Sequence, residues 1–126
     1  MVMYIGGAFQ GQDTLAKEEY PHIHWVDGEC CSWDELMEAE GVLNFHEFIK
    51  EQLRQEKDLS SLAEEMLKKN SGLIIVSNEV GYGVVPVDAF ERKYRECVGR
   101  VCTKLAAGSD KVCRVVCGIG AWIKDA

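Results

Sequence analysis

Apolar residues recur along this chain in two rhythms. Val2 to Ile5 is a short continuous apolar run ending at Gly6-Gly7, and it predicts a strand followed by a turn. Leu73-Ile74-Ile75-Val76-Ser77 and Val112 to Cys117 are β-branched runs of the kind buried on both faces of a parallel sheet. Elsewhere the spacing is helical. From Val42 onward Leu43, Phe45, His46, Ile49 and Leu53 recur at helical intervals, and after Asp58 the residues Leu59, Leu62, Ala63, Met66 and Leu67 do the same. From Asp88 as N-cap, Phe90, Tyr94, Cys97, Val98, Val101 and Leu105 form one apolar stripe that stops near Gly108.

Local signals fill the gaps. Gln12 to Tyr20 is polar, with Leu15 and Ala16 as apolar anchors, and predicts a short helix. Pro21 to Glu29 has a strand-like centre closed by the turn pair Asp27-Gly28. Ser32 stands three residues before Glu35, the spacing of a capping box, so a short helix begins there. Ile119 to Ile123 reads as a short addition after the last strand. The order β-α-β-α-α-β-α-β points to an α/β fold with a mainly parallel sheet, within one domain over residues 1–126.

Charge narrows the partners. The chain has a formal net charge of −7, but residues 1–70 carry 15 acids against 6 bases, and residues 71–126 carry 6 acids against 8 bases. An acidic chain is a poor partner for nucleic acid, whose affinity for proteins rests on phosphate neutralisation. No apolar run approaches the roughly 18 residues needed to span a bilayer, so a cytoplasmic protein is expected. Cys30, Cys31, Cys97, Cys102, Cys113 and Cys117 include no C-x-x-C pair, and reduced thiols acting as small apolar filler are expected rather than a zinc site or a disulfide framework.

The loop after the first strand is the first candidate for chemistry. In the pattern G-x-x-x-x-G-K-[ST], Gly6 and Gly11 fill the glycine positions, while Gln12 stands in place of the lysine and Asp13 in place of the hydroxyl. Gly6, Gly7 and Gly11 can still offer backbone N–H groups to a phosphate, but Gln12 brings no charge and Asp13 brings the wrong one. On spacing alone, a glycine-rich turn without ligand and a nucleotide-binding relic remain open.

A second candidate is SNEVGYGVVP, Ser77 to Pro86, which sets Asn78, Glu79, Gly81 and Gly83 beyond the carboxyl end of a strand. Ligand groups gather there in open parallel sheets. Glu79 suits Mg²⁺ binding or proton acceptance there, and equally suits an ion pair. Along the helix from Asp88, the bases Arg92, Lys93, Arg95, Arg100 and Lys104 offer an anion-binding flank. Asp88–Arg92, Glu91–Arg95 and Glu96–Arg100 are also acid-to-base pairs at i,i+4, which favours a solvated, self-paired face. His22, His24 and His46 have no partners at nucleophile or ligand spacing and read as structural.

Taken together, SNEVGYGVVPVDAFERKYRECVGRVCTKLA and VVCGIGAWIK resemble the C-terminal half of the adenosylcobinamide kinase / adenosylcobinamide-phosphate guanylyltransferase family of cobalamin biosynthesis. The counterparts are Asn78-Glu79-Val80-Gly81, Tyr94-Arg95, Gly99-Arg100 and Gly118-Ile119, and the family's opening G-G-x-R-S-G-K-S is matched at its glycines. The resemblance implies a P-loop NTPase, RecA-like α/β architecture, a homo-oligomer, and GTP or ATP with Mg²⁺ as cofactors. It also implies nucleotide and corrinoid ligands near Gly6 to Asp13 and Asn78 to Gly83. Under it, Glu79 holds metal or substrate, and Arg95 or Arg100 supplies the missing positive charge for phosphoryl transfer to cobinamide. None of His22, His24 and His46 sits in a matching motif, so the family's guanylyl-accepting histidine is not carried over. The alternative is a non-catalytic nucleotide- or corrinoid-binding scaffold derived from that family.

Overall fold

The computed structural model describes residues 1–80 and 88–125. Eleven elements form among them, and six are strands of one sheet. In chain order they are β1 (Val2–Gly6), α1 (Gln12–Glu19), β2 (Trp25–Asp27), α2 (Trp33–Glu38), β3 (Gly41–Leu43) and α3 (Phe45–Arg54). These are followed by α4 (Leu62–Lys69), β4 (Ile74–Asn78), α5 (Ala89–Gly108), β5 (Lys111–Val116) and β6 (Ile119–Asp125). The sheet order is β2-β3-β4-β1-β5-β6, with every pairing parallel except the last. The α/β expectation therefore holds.

The pleat sorts the apolar runs onto two faces. On one, Met3, Ile75 and Val112 meet Leu36, Phe45, Phe48, Ile49, Leu62, Met66, Val98 and Leu105, so α2 to α5 cover that side with the larger core. On the other, Tyr4, Ile74, Val76, Cys113 and Val115 pack under Ala16 of α1. Successive residues of β1 and β4 thus point into different cores, and continuous apolar runs are what such strands require. Ser32 and Glu35 form the capping box at α2, and Asp88 caps α5 by accepting from the N–H groups of Phe90 and Glu91.

Two elements differ from expectation. Val42 and Leu43 belong to β3, not to the helix that follows. Asn44, at φ 54°, turns the chain through the left-handed region between them. The apolar positions 42, 43, 45, 46 and 49 mimic a helical period across that break. The stretch from Ile119 is also more than a short addition: β6 is seven residues long, antiparallel to β5, and carries Trp122 against Tyr4. Among the described residues no helix is long and apolar enough to cross a membrane.

Candidate functional site

β1 lies between β4 and β5, so its loop, Gly7 to Gly11, opens where chain connections diverge to either side of the sheet. That position at the carboxyl edge of parallel strands is where α/β folds hold ligands. Two glycines are required by geometry. A Cβ on Gly6 would sit 2.5 Å from the Val115 carbonyl oxygen of β5, and Gly11 starts α1 with φ +89°. The loop is also tied sideways: the N–H groups of Cys117 and Gly118 donate to Gln10 Oε1 and Gln10 O, each at 2.7 Å. Phe9, at φ 61°, leaves its ring fully exposed at the loop tip.

Gln12, in the position of the usual lysine, folds inward instead of outward. It is 4% exposed, and its Nε2 lies 2.8 Å from Asn78 Oδ1, 3.1 Å from both Gly6 O and Gly7 O, and 3.5 Å from Ser77 O. Flipping the amide would set its oxygen against four other oxygens, so the hydrogen-bond network fixes its orientation. One neutral donor thereby ties the loop to the ends of β1 and β4. Glu79 adds a second tie, donating its N–H to Gly6 O at 2.6 Å.

A pocket of about 240 Å³ opens beside this amide, lined by Phe9, Gln12, Asp13, Asn44, His46 and Asn78 among others. Asn44 turns the chain after β3, the strand that the sequence pattern concealed, and His46 follows in the first turn of α3. His46 Nδ1 accepts the Asn78 N–H at 3.1 Å, which places the ring proton on Nε2, 3.5 Å from Glu47 Oε1. Burial pushes the His46 pKa below the usual histidine value, against the opposing pull of Glu47. With the imidazole neutral, Asp13 is the only charge among the described residues of the lining.

Arg95 and Glu79 line one shallow cleft on the other side of the loop, completed by Gly7, Ala8, Val80, Glu91 and Tyr94. Glu79 Oε2 is also 3.4 Å from Arg114 of β5, a base with no sequence signal beyond being the polar residue in a buried strand. Arg100 is placed elsewhere: it is exposed, pairs with Glu96, and faces a separate cleft beside the α3–α4 connection. Gly81 and Gly83 lie outside the described residues. The loop and Asn78, Glu79 and Arg95 are therefore brought together, and Arg100 is not.

The donor set suits hydrogen bonding better than charge. A magnesium nucleotide needs a cation beside the β and γ oxygens and a hydroxyl or carboxylate on the metal. Among the described residues the pocket beside Gln12 has no Lys or Arg in its lining, and Arg95 shares its cleft with Glu79 and Glu91. Among the described residues, no group of three His, Cys, Asp or Glu side chains is arranged to hold a metal ion. The six thiols are free, and burial together with Glu79 and Cys97 pushes the Cys102 thiol up to about 12 despite a bond from Ser77.

Comparison with known proteins points the same way as the α5 motif. Residues 23–123 match the family model described as cobinamide kinase / cobinamide phosphate guanyltransferase, a span that begins after the glycine loop. The bifunctional adenosylcobalamin biosynthesis protein CobU of Salmonella typhimurium is 48% identical over 52 residues, covering 41% of this chain and 29% of that protein. Its namesake from Escherichia coli is 39% identical over 67 residues, covering 53% of this chain and 37% of that protein. The aligned segments thus span well under half of either relative. With its P-loop-like sheet and four fifths of its length matched, the chain belongs to the cobinamide kinase / cobinamide phosphate guanyltransferase family.

Proposed function

We propose that this chain acts in corrinoid metabolism as a binding member of the family, holding a neutral, hydrogen-bonding ligand at the glycine loop without transferring a phosphoryl group. The observation that carries this reading is Gln12: an amide, already bonded to loop carbonyls and to Asn78, occupies the place where transfer needs a mobile cation. Phosphoryl transfer depends on positive charge around the moving group, so this replacement removes the main source of transition-state stabilisation. A pocket of about 240 Å³ admits a side arm rather than a whole corrin, and Asn44, Asn78 and His46 match an amide arm of cobinamide. The exposed Phe9 ring offers an apolar contact at its mouth.

Arg95 favours a second reading, a kinase in which that guanidinium replaces the lysine beside Gly7 and Ala8. Two acids in the same cleft oppose it. The experiment that separates the two is calorimetric titration with cobinamide, GTP and ATP, with and without Mg²⁺, followed by a cobinamide phosphorylation assay. The binding reading expects cobinamide to bind and nucleotides to bind weakly with no Mg²⁺ dependence. Micromolar, Mg²⁺-dependent nucleotide binding or phosphate transfer would overturn it in favour of the kinase.

A further inference from the structure

A separate cleft lies away from the glycine loop. It has a volume of about 480 Å³, within the range of small-molecule sites, and it separates α5 from the connection between α3 and α4. Its floor is apolar: Leu53, Leu59, Ala63 and Val101 are all buried at its base, and Cys97 joins them from α5. Its rim is basic. Lys57 stands on one wall, and Lys93, Arg100 and Lys104 stand on the other, at spacings of seven and four residues that keep them on one face of α5.

The acids at this rim are partly engaged. Glu96 pairs with Arg100, and Asp58 accepts the Ser60 N–H, which holds its carboxyl below the usual range. Glu56 is the third. Among the described residues, the ammonium groups of Lys57, Lys93 and Lys104 make no ion pair. Of the three i,i+4 pairs expected along this helix, Asp88–Arg92, Glu91–Arg95 and Glu96–Arg100, the last is formed; Asp88 also caps the helix and Glu91 also reaches Lys50 of α3. Lys93 and Lys104 belong to none of those pairs, and their exposed ammonium groups stand at the rim of the cleft. In a protein of net charge −7, a lining of four cations and three acids around an apolar floor carries a local excess of positive charge.

From this geometry we propose a second ligand site, one that takes a small amphipathic anion. The apolar body lies on Leu53, Leu59 and Val101, and one carboxylate or phosphate is held at the rim by Lys57 with Lys93 at one end of the cleft or with Lys104 at the other, the two helix lysines being about 16 Å apart along α5. Lysine suits this arrangement because its methylene stem can cover the apolar body while the ammonium reaches the anion at the rim. The site is independent of the glycine loop, since the two clefts share no lining residue.

The test is calorimetric titration of the full chain with octanoate and octyl phosphate, with acetate and inorganic phosphate as head-group controls. One of the two amphiphiles binds one per chain and at least about tenfold more tightly than its head group alone, and binding weakens as salt screens the lysines. Which amphiphile wins decides between carboxylate and phosphate. The double variant Lys93→Gln/Lys104→Gln, both positions exposed, weakens binding at least about tenfold, while Lys17→Gln on α1 leaves it unchanged. Ala63→Met, which fills the floor, weakens it independently. Failure of both amphiphiles to bind below about 1 mM, equal binding by acetate and octanoate, or wild-type affinity in the double lysine variant would each overturn the proposal.

Discussion

Replacing Gln12 by alanine should unfasten the loop, and the size of the effect can be worked from the bonds it makes. The amide nitrogen has two protons and four oxygens around it, so it makes two good hydrogen bonds at a time and is shared among the rest. Gly6 O keeps the Glu79 N–H and is not left unsatisfied. Gly7 O and Asn78 Oδ1 are only partly buried, so water can replace part of what they lose. Two net hydrogen bonds at about 1 kcal/mol each, plus one buried methylene at about 0.8 kcal/mol, give a loss of roughly 3 kcal/mol. For a chain of this length that lowers the melting temperature by roughly 10 °C.

Gln12→Lys separates the structural role from the chemical one. An ammonium can donate to the same carbonyls, so this variant should lose less than half as much stability as the alanine variant. Thermal unfolding followed by circular dichroism, with urea titration as a check on two-state behaviour, measures both. An alanine variant within about 0.5 kcal/mol of wild type, inside the ordinary range for surface substitutions, would refute the idea that this amide holds the loop. Equal losses in the alanine and lysine variants would refute the claim that donation to these carbonyls is what matters.

Two glycines should respond in opposite directions. Gly6→Ala places a Cβ 2.5 Å from a backbone oxygen of β5 and should destabilise by about 1–3 kcal/mol, whereas Gly99, inside α5 with open space around it, should gain about 0.5–1 kcal/mol on becoming alanine; urea midpoints compare them. His46 supplies a pH dependence. Its folded pKa lies below the usual value through burial, so the unfolded chain binds the proton more readily, and stability falls as pH drops below the unfolded histidine value of about 6.5. Protonation would also remove the Nδ1 acceptor of the Asn78 N–H, with Glu47, Lys50 and Asp13 as the charges nearby. The slope of melting temperature against pH between 5 and 7 should be shallower in His46→Asn, which keeps an acceptor without titrating; an unchanged slope would show that His46 is not responsible.

Much of this architecture was legible in the sequence because its strands are buried on both faces. The runs from Val2, Leu73 and Val112 needed no partner to be read, and Ser32 and Asp88 announced their helices through capping chemistry alone. β3 was not legible: three residues are too few to show a period, and the apolar residues of α3 continue it in a helical rhythm. That loss carried a cost at the site, because Asn44 and His46 enter the pocket from just after β3. Gln12, Asn78, Glu79 and Arg95 could be placed because they flank strand ends and helix starts. Their directions could not, since whether Gln12 points inward or Arg100 outward depends on packing between elements distant in sequence.

The substitution at position 12 also explains why the loop can persist without its usual chemistry. A lysine at the start of such a helix must be neutralised by a ligand or by nearby acceptors, and a buried ammonium without a partner is costly. A neutral amide meets the same carbonyls with no charge to balance, so the frame of β1, β4 and the loop is complete before any ligand arrives. The acid that follows it, Asp13, then sits in the first turn of α1, where a negative charge complements the helix dipole and stands where a phosphate would otherwise bind. Selection for stability alone would retain Gly6, Gly11, Gln12 and Asp13 together. A Gln12→Lys/Asp13→Ser double variant should therefore exchange stability for nucleotide affinity: it should melt lower than wild type and bind GTP or ATP more tightly by calorimetry. A double variant that melts higher and binds no nucleotide would show that the two residues do not act as this self-sufficient pair.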